Sequence, residues 1–74
     1  MSAEKITRMA NQIATFMASK PHAEGVEGLA MHINDFWEPR MRRELFSLLD
    51  AGGEGLSPLV IEAADQIRRP VEPA

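Results

Sequence analysis

Proline and glycine cut this chain into four short pieces, and that division limits its fold more than any other feature. Lys20-Pro21, Pro39, Gly52-Gly53 and Pro70 each stand where a run of apolar residues at helical spacing stops. The residue before a proline is steered away from the α region, and glycine accepts the left-handed conformation that ends helices. Only short helices fit between such stops.

In the first piece Ile6, Met9, Ala10, Ile13, Phe16 and Met17 recur at intervals of three and four, which makes one helical stripe. Ser2 suits an N-cap and Glu4 complements the positive helix start, so the spacing predicts a helix over 3–19. Val26, Leu29, Ala30, Ile33, Phe36 and Trp37 predict a second over 24–37. Gly25 and Gly28 lie in its first turns, where each costs up to about 1 kcal/mol, and they blur its start. The third, over 39–51, opens on Pro39, a residue welcome at the first helical position. Met41, Leu45, Leu48 and Leu49 form its stripe, with Phe46 beside it. Glu38 and Arg42, and Arg40 and Glu44, stand four apart and are placed to pair on its exposed side. Ser57 caps a fourth helix over 58–69, Pro58 takes its first position, and Leu56 is placed to staple onto Ile61. Residues 70–74 are expected to be a loose tail. No strand alternation and no repeat appear. The expected fold is all-α, a single domain over 1–74 of three to four short amphipathic helices.

A chain of 74 residues buries only about 60% of its unfolded surface, so its core is thin. Small domains offset this with disulfides, a metal or a partner. The sequence has no cysteine, which excludes disulfides and thiolate-held iron–sulfur clusters. His22 and His32 are the only good nitrogen ligands, and no carboxylate joins them at a recognisable metal spacing, so no metal site is expected. A partner is the remaining candidate. With 8 basic and 11 acidic residues, net −3, the chain is a poor match for a phosphate backbone, and no nucleic acid is expected. No apolar run is long enough to span a bilayer, so no membrane is expected either. The stretch from Met1 to Lys20 lacks a signal-peptide core, which together with the cysteine count points to a cytoplasmic protein.

No catalytic residue is expected. The serines, at Ser2, Ser19, Ser47 and Ser57, fall mostly at caps and turns with no base in view. Gly52-Gly53-Glu54-Gly55 lacks the lysine and preceding strand of a phosphate loop. A core this thin leaves little room beneath it for a ~300 Å3 substrate pocket. His32 sits on the edge of the second stripe and reads more readily as a half-buried, hydrogen-bonded histidine than as ligand or base. His22 follows Pro21 in a turn and is expected to be solvated.

The densest constellation runs from His32 through Phe36, Trp37, Glu38, Pro39, Arg40, Met41, Arg42 and Arg43. It sets the only tryptophan beside a proline corner and three arginines. Tryptophan and arginine are the types most enriched at interface hot spots, and the guanidinium fork suits carboxylate recognition. The competing reading is a tryptophan that fills the chain's own core beside a solvated arginine face. The density of anchor types favours an interface. Asn11 and Gln12 border the first stripe and are weaker helix formers than Ala or Leu. They are either solvated or make directional bonds to a partner's backbone.

These residues carry a resemblance. Arg8-Met9-Ala10-Asn11-Gln12-Ile13-Ala14, followed by Phe16, resembles the opening signature of the delta-subunit family of soluble NAD-dependent formate dehydrogenases. The run from His32 through Phe36-Trp37 to Pro39-Arg40-Met41-Arg42 is similar to its second signature. Their separation, the Gly52-Gly53 turn and the start of the last helix also fit, so the likeness covers about residues 4–65. Glu38 stands where aspartate is expected, a poorer cap, and Met17 where a second aromatic is common.

The resemblance implies a non-catalytic subunit of an enzyme that oxidises formate to CO2 and reduces NAD+. It implies partners: a large alpha subunit with a bis-pterin molybdenum (or tungsten) centre and iron–sulfur clusters, a beta subunit with FMN and the NAD site, and a gamma subunit with further clusters. The chain itself would bind no cofactor and would dock on the alpha subunit to support assembly or stability. Its expected partner-binding residues are Arg8, Asn11, Gln12, His32, Phe36, Trp37, Arg40, Met41 and Arg42. Removed from its partner, it is expected to be able to pair with itself. Two alternatives share this surface: a transient chaperone for molybdenum-cofactor insertion, and a small helical regulatory binding protein.

Overall fold

A computed structural model describes residues 2–70 and contains four α-helices: α1 (Ala3–Met17), α2 (His22–Phe36), α3 (Pro39–Asp50) and α4 (Pro58–Ala63). A short 3-10 turn, Ala64–Gln66, continues α4. Helix α1 is the hub and packs against the other three, while α2 also packs on α4. The fold is all-α as expected, and no strand occurs among the described residues.

Each boundary has a local cause. Ser2 accepts a hydrogen bond from the Lys5 N–H and starts α1. The helix stops two residues earlier than expected because Ser19 competes with it, its hydroxyl donating to the Phe16 carbonyl at 2.8 Å. Helix α2 starts two residues earlier, with the Gly25 N–H donating to the Pro21 carbonyl. Helix α3 ends in a Schellman arrangement: Gly53 N–H bonds the Leu48 carbonyl and Gly52 N–H the Leu49 carbonyl, at 2.8 and 3.1 Å. Both glycines have positive φ, as the left-handed stop requires. Ser57 caps α4 through the Leu59 N–H. The expected helix over 58–69 is shorter than its apolar pattern, because Ile67 turns extended (φ −91°, ψ 128°) and buries its side chain. Of the expected tail over 70–74, residues 71–74 lie outside the described residues.

The core is one cluster fed by every element: Ile6, Leu29, Ile33, Leu45 and Val60 are its largest fully buried side chains. Ala10 and Ala14 extend the buried face of α1 one turn at a time and keep it narrow. At the far end of α1 the two glycines of α2 explain themselves. A Cβ on Gly25 would lie 2.6 Å from the Met17 carbonyl oxygen, so α2 approaches α1 more closely there than any other residue permits. On Gly28 it would meet only the flexible end of the Met17 side chain, the sulfur at 2.9 Å and the terminal methyl at 3.4 Å.

The two glycines therefore differ in a way melting can detect. Helix propensity alone favours alanine over glycine by about 1 kcal/mol. Gly25→Ala should nevertheless destabilise the chain by about 1–3 kcal/mol, the cost of overpacking against fixed backbone. Gly28→Ala should be neutral or stabilising. Equal effects at both positions in chemical denaturation would refute this account of the α1–α2 seam.

Candidate interaction surface

Between α2 and α3 the chain must leave one helix and enter another across two residues. Trp37 and Glu38 are both extended (φ −87°, ψ 132° and φ −66°, ψ 155°), as the residue before Pro39 is bound to be. This swing carries Trp37 inward and leaves Phe36, the last helical residue of α2, outside. Trp37 is 6% exposed and belongs to the core; Phe36 is 73% exposed. The His32 ring lies one helical turn back, 4.9 Å from the Phe36 ring, so the two form a tilted aromatic pair on the surface.

The expected partner-binding residues fall in different places. Trp37 is a core residue of the free chain. Met41 is half-buried against the same core. Asn11 is occupied within the chain: its amide donates to the Gly55 carbonyl at 2.9 Å and its carbonyl accepts from the Ser57 N–H at 2.8 Å. Arg42 is half-buried and donates through Nη1 to the Arg68 carbonyl at 2.6 Å, while its Nε is buried without an acceptor. Phe36, Arg40, Arg8 and Gln12 are exposed, and His32 is intermediate. Arg8 and Gln12 lie with Glu4, Thr7, Asn11 and Thr15 along a shallow groove on α1, on a different helix from the Phe36 corner. The nine expected residues are thus split among the core, an internal clamp, the α1 groove and the α2–α3 corner.

Other exposed apolar side chains lie on α1, α2 and α4, the last being Ile61. Phe16 is 65% exposed near the end of α1, with the Lys20 ammonium 5.7 Å from its ring centroid, and Met31 is 54% exposed on α2.

Sequence reasoning missed two features. Asn34 repeats what Asn11 does: its amide donates to the Gln66 carbonyl at 2.9 Å and its carbonyl accepts from the Arg68 N–H at 2.8 Å. The signal available was an asparagine on the flank of a helical stripe, as at Asn11. Arg69 stacks over Phe46, 4.3 Å from the ring centroid, and pairs with Asp50 at 2.8 Å. The hydrogen bond from Arg69 holds the Asp50 carboxyl below its ordinary value, and that bond likewise raises Arg69. His22, at the start of α2, pairs with Glu62, near the end of α4. No group of three or more His, Cys, Asp or Glu among the described residues is arranged to hold a metal ion. With no cysteine in the sequence, the donor set does not fit a resident iron–sulfur cluster. No helix among the described residues is long and apolar enough to cross a membrane.

Two truncations separate these roles. Trp37→Ala should cost the isolated chain about 3–5 kcal/mol as a large core deletion. Asn11→Ala should cost about 1 kcal/mol, because the exposed Gly55 carbonyl and the part-buried Ser57 N–H lose their partner. Urea unfolding of the free chain measures both, and an unchanged midpoint for either would contradict the placement described.

A family model described as "NADH-dependant formate dehydrogenase delta subunit FdsD" matches residues 5–64. No curated protein and no solved structure matches the chain.

Proposed function

Because the chain belongs to the delta-subunit family of NADH-dependent formate dehydrogenase, an oxidoreductase, we propose that it serves that complex as a docking subunit without chemistry of its own. It binds the large alpha subunit and supports assembly or stability of the complex. On this reading the bis-pterin molybdenum (or tungsten) centre, the iron–sulfur clusters, FMN and the NAD site all reside on the alpha, beta and gamma subunits. The complex works in the cytoplasm, oxidising formate to CO2 and passing the electrons to NAD+.

One observation carries the docking role. A chain with so thin a core leaves Phe36 73% exposed and stacked on His32, at the corner where its tryptophan is turned inward. A large exposed aromatic with few rotatable bonds gives much contact area for little lost freedom, which is what an interface anchor needs. Exposed Arg40, just past the corner, adds a charged fork at its rim.

The test uses a tag on this chain in its native cell. Purified through the tag, the wild type should bring down a complex that reduces NAD+ with formate and contains the chain at a fixed ratio by native mass. Phe36→Ala should change the stability of the free chain by no more than about 0.5 kcal/mol. It should weaken capture by about 30-fold, the equivalent of a 2 kcal/mol hot spot. Recovery of inactive, cofactor-poor enzyme alone would favour the transient chaperone, and full capture by Phe36→Ala would remove the corner from the interface.

A further inference from the structure

The chain carries net charge −3, yet its arginines are not spread over it. Five of its eight basic residues fall in two short stretches, Arg40, Arg42 and Arg43, and Arg68 and Arg69. The fold brings these stretches together. Segment 68–70 leaves the 3-10 turn and runs beside α3, held by Asn34 on the Arg68 N–H, by Arg42 on the Arg68 carbonyl, and by Asp50 on the Arg69 guanidinium. Two grooves result and adjoin at Arg69 and Pro70. One is lined by Pro39, Arg42 and Arg68, the other by Arg43, Phe46 and Asp50. Four arginines thus line the two grooves together with Pro39, Pro70 and the buried Phe46, with Asp50 the one carboxylate among the lining residues.

This arrangement is not one that stability favours. Helix α3 begins with arginine at its second, fourth and fifth positions and has no acidic residue in its first turn. Cations there oppose the helix dipole, whereas α1 and α2 each place a glutamate in their first turn. The concentration of like charge also repels itself across the grooves. An acidic partner surface would relieve both.

We infer that the grooves on either side of residues 68–70 form a second docking surface, which takes a carboxylate-rich surface of a larger subunit of the complex. The inference rests on the proposed subunit role and adds a site separate from the Phe36 corner. The arginine forks suit paired carboxylates, and Pro39 and Pro70 supply apolar surface beside them. Electrostatic complementarity of this kind steers association and fixes its orientation more than it adds raw affinity. Phe36 would anchor one contact while the arginine end sets the angle at which the chain seats.

The experiment measures binding of the tagged chain to formate dehydrogenase stripped of it, across a salt series, with the variant Arg43→Glu/Arg68→Glu. Neither side chain belongs to the core, so the free variant should keep the fold, which its melting curve checks. The wild type should bind with an affinity that falls steeply with salt. The variant should bind at least about tenfold more weakly, with a flatter salt dependence. The neutral pair Arg43→Gln/Arg68→Gln should fall between them. Equal binding by all three would overturn the second surface and leave the subunit role standing. No binding by the wild type would overturn both. Three further results would each overturn it in favour of another occupant. They are concentration-dependent self-association that the double variant abolishes, and binding by the wild type alone to duplex DNA or to phosphatidylserine vesicles.

Discussion

Pro39 steers Glu38 out of the α region, and Trp37 before it is extended as well, so the chain turns a corner between α2 and α3. Everything around that corner follows from this. Extended backbone at Trp37 and Glu38 turns the indole into the core and leaves the neighbouring phenyl ring in solvent. It also sets the start of α3, and with it the three arginines that follow Pro39, at one end of the molecule. A chain that continued as a helix through this stretch would bring Trp37 to the flank of α2 and lose its largest core side chain.

So small a core needs help from directional bonds, and two asparagines provide it in the same way. Asn11 on α1 grips the backbone that enters α4, at Gly55 and Ser57. Asn34 on α2 grips the backbone that leaves it, at Gln66 and Arg68. Each uses its donor and its acceptor on main-chain groups, so the shortest helix is bracketed at both ends. The α1–α2 seam contributes by proximity instead, with Gly25 giving up helix propensity so that two backbones can meet.

The helices were legible because their signals are local: caps at Ser2 and Ser57, the proline at the start of α3, and the paired glycines at its end. Their last turns were not, since Ser19 and Ile67 act through a hydroxyl and a buried side chain that periodicity does not register. The same limit applied to the surface. Trp37 and Phe36 are adjacent in one apolar stripe, and only the ψ of the corner decides which of them faces inward. Asn11 could be recognised as a residue with directional bonds to make, but not that the backbone it bonds lies 44 residues onward in its own chain. The arginine end was half visible. Arg40, Arg42 and Arg43 stand together in the sequence, whereas Arg68 and Arg69 join them only because Asn34 and Asp50 fold the final segment back.

On the proposed subunit role the molecule is two-sided: an aromatic corner and an arginine end for a partner, and a core that needs Trp37 for itself. Hydroxyl-radical footprinting of the chain, free and within purified formate dehydrogenase, measures that division directly. Phe36 should be strongly modified in the free chain and protected in the complex, while Trp37 stays unreactive in both. Phe36 equally reactive in both states, or Trp37 reactive in the free chain, would contradict it.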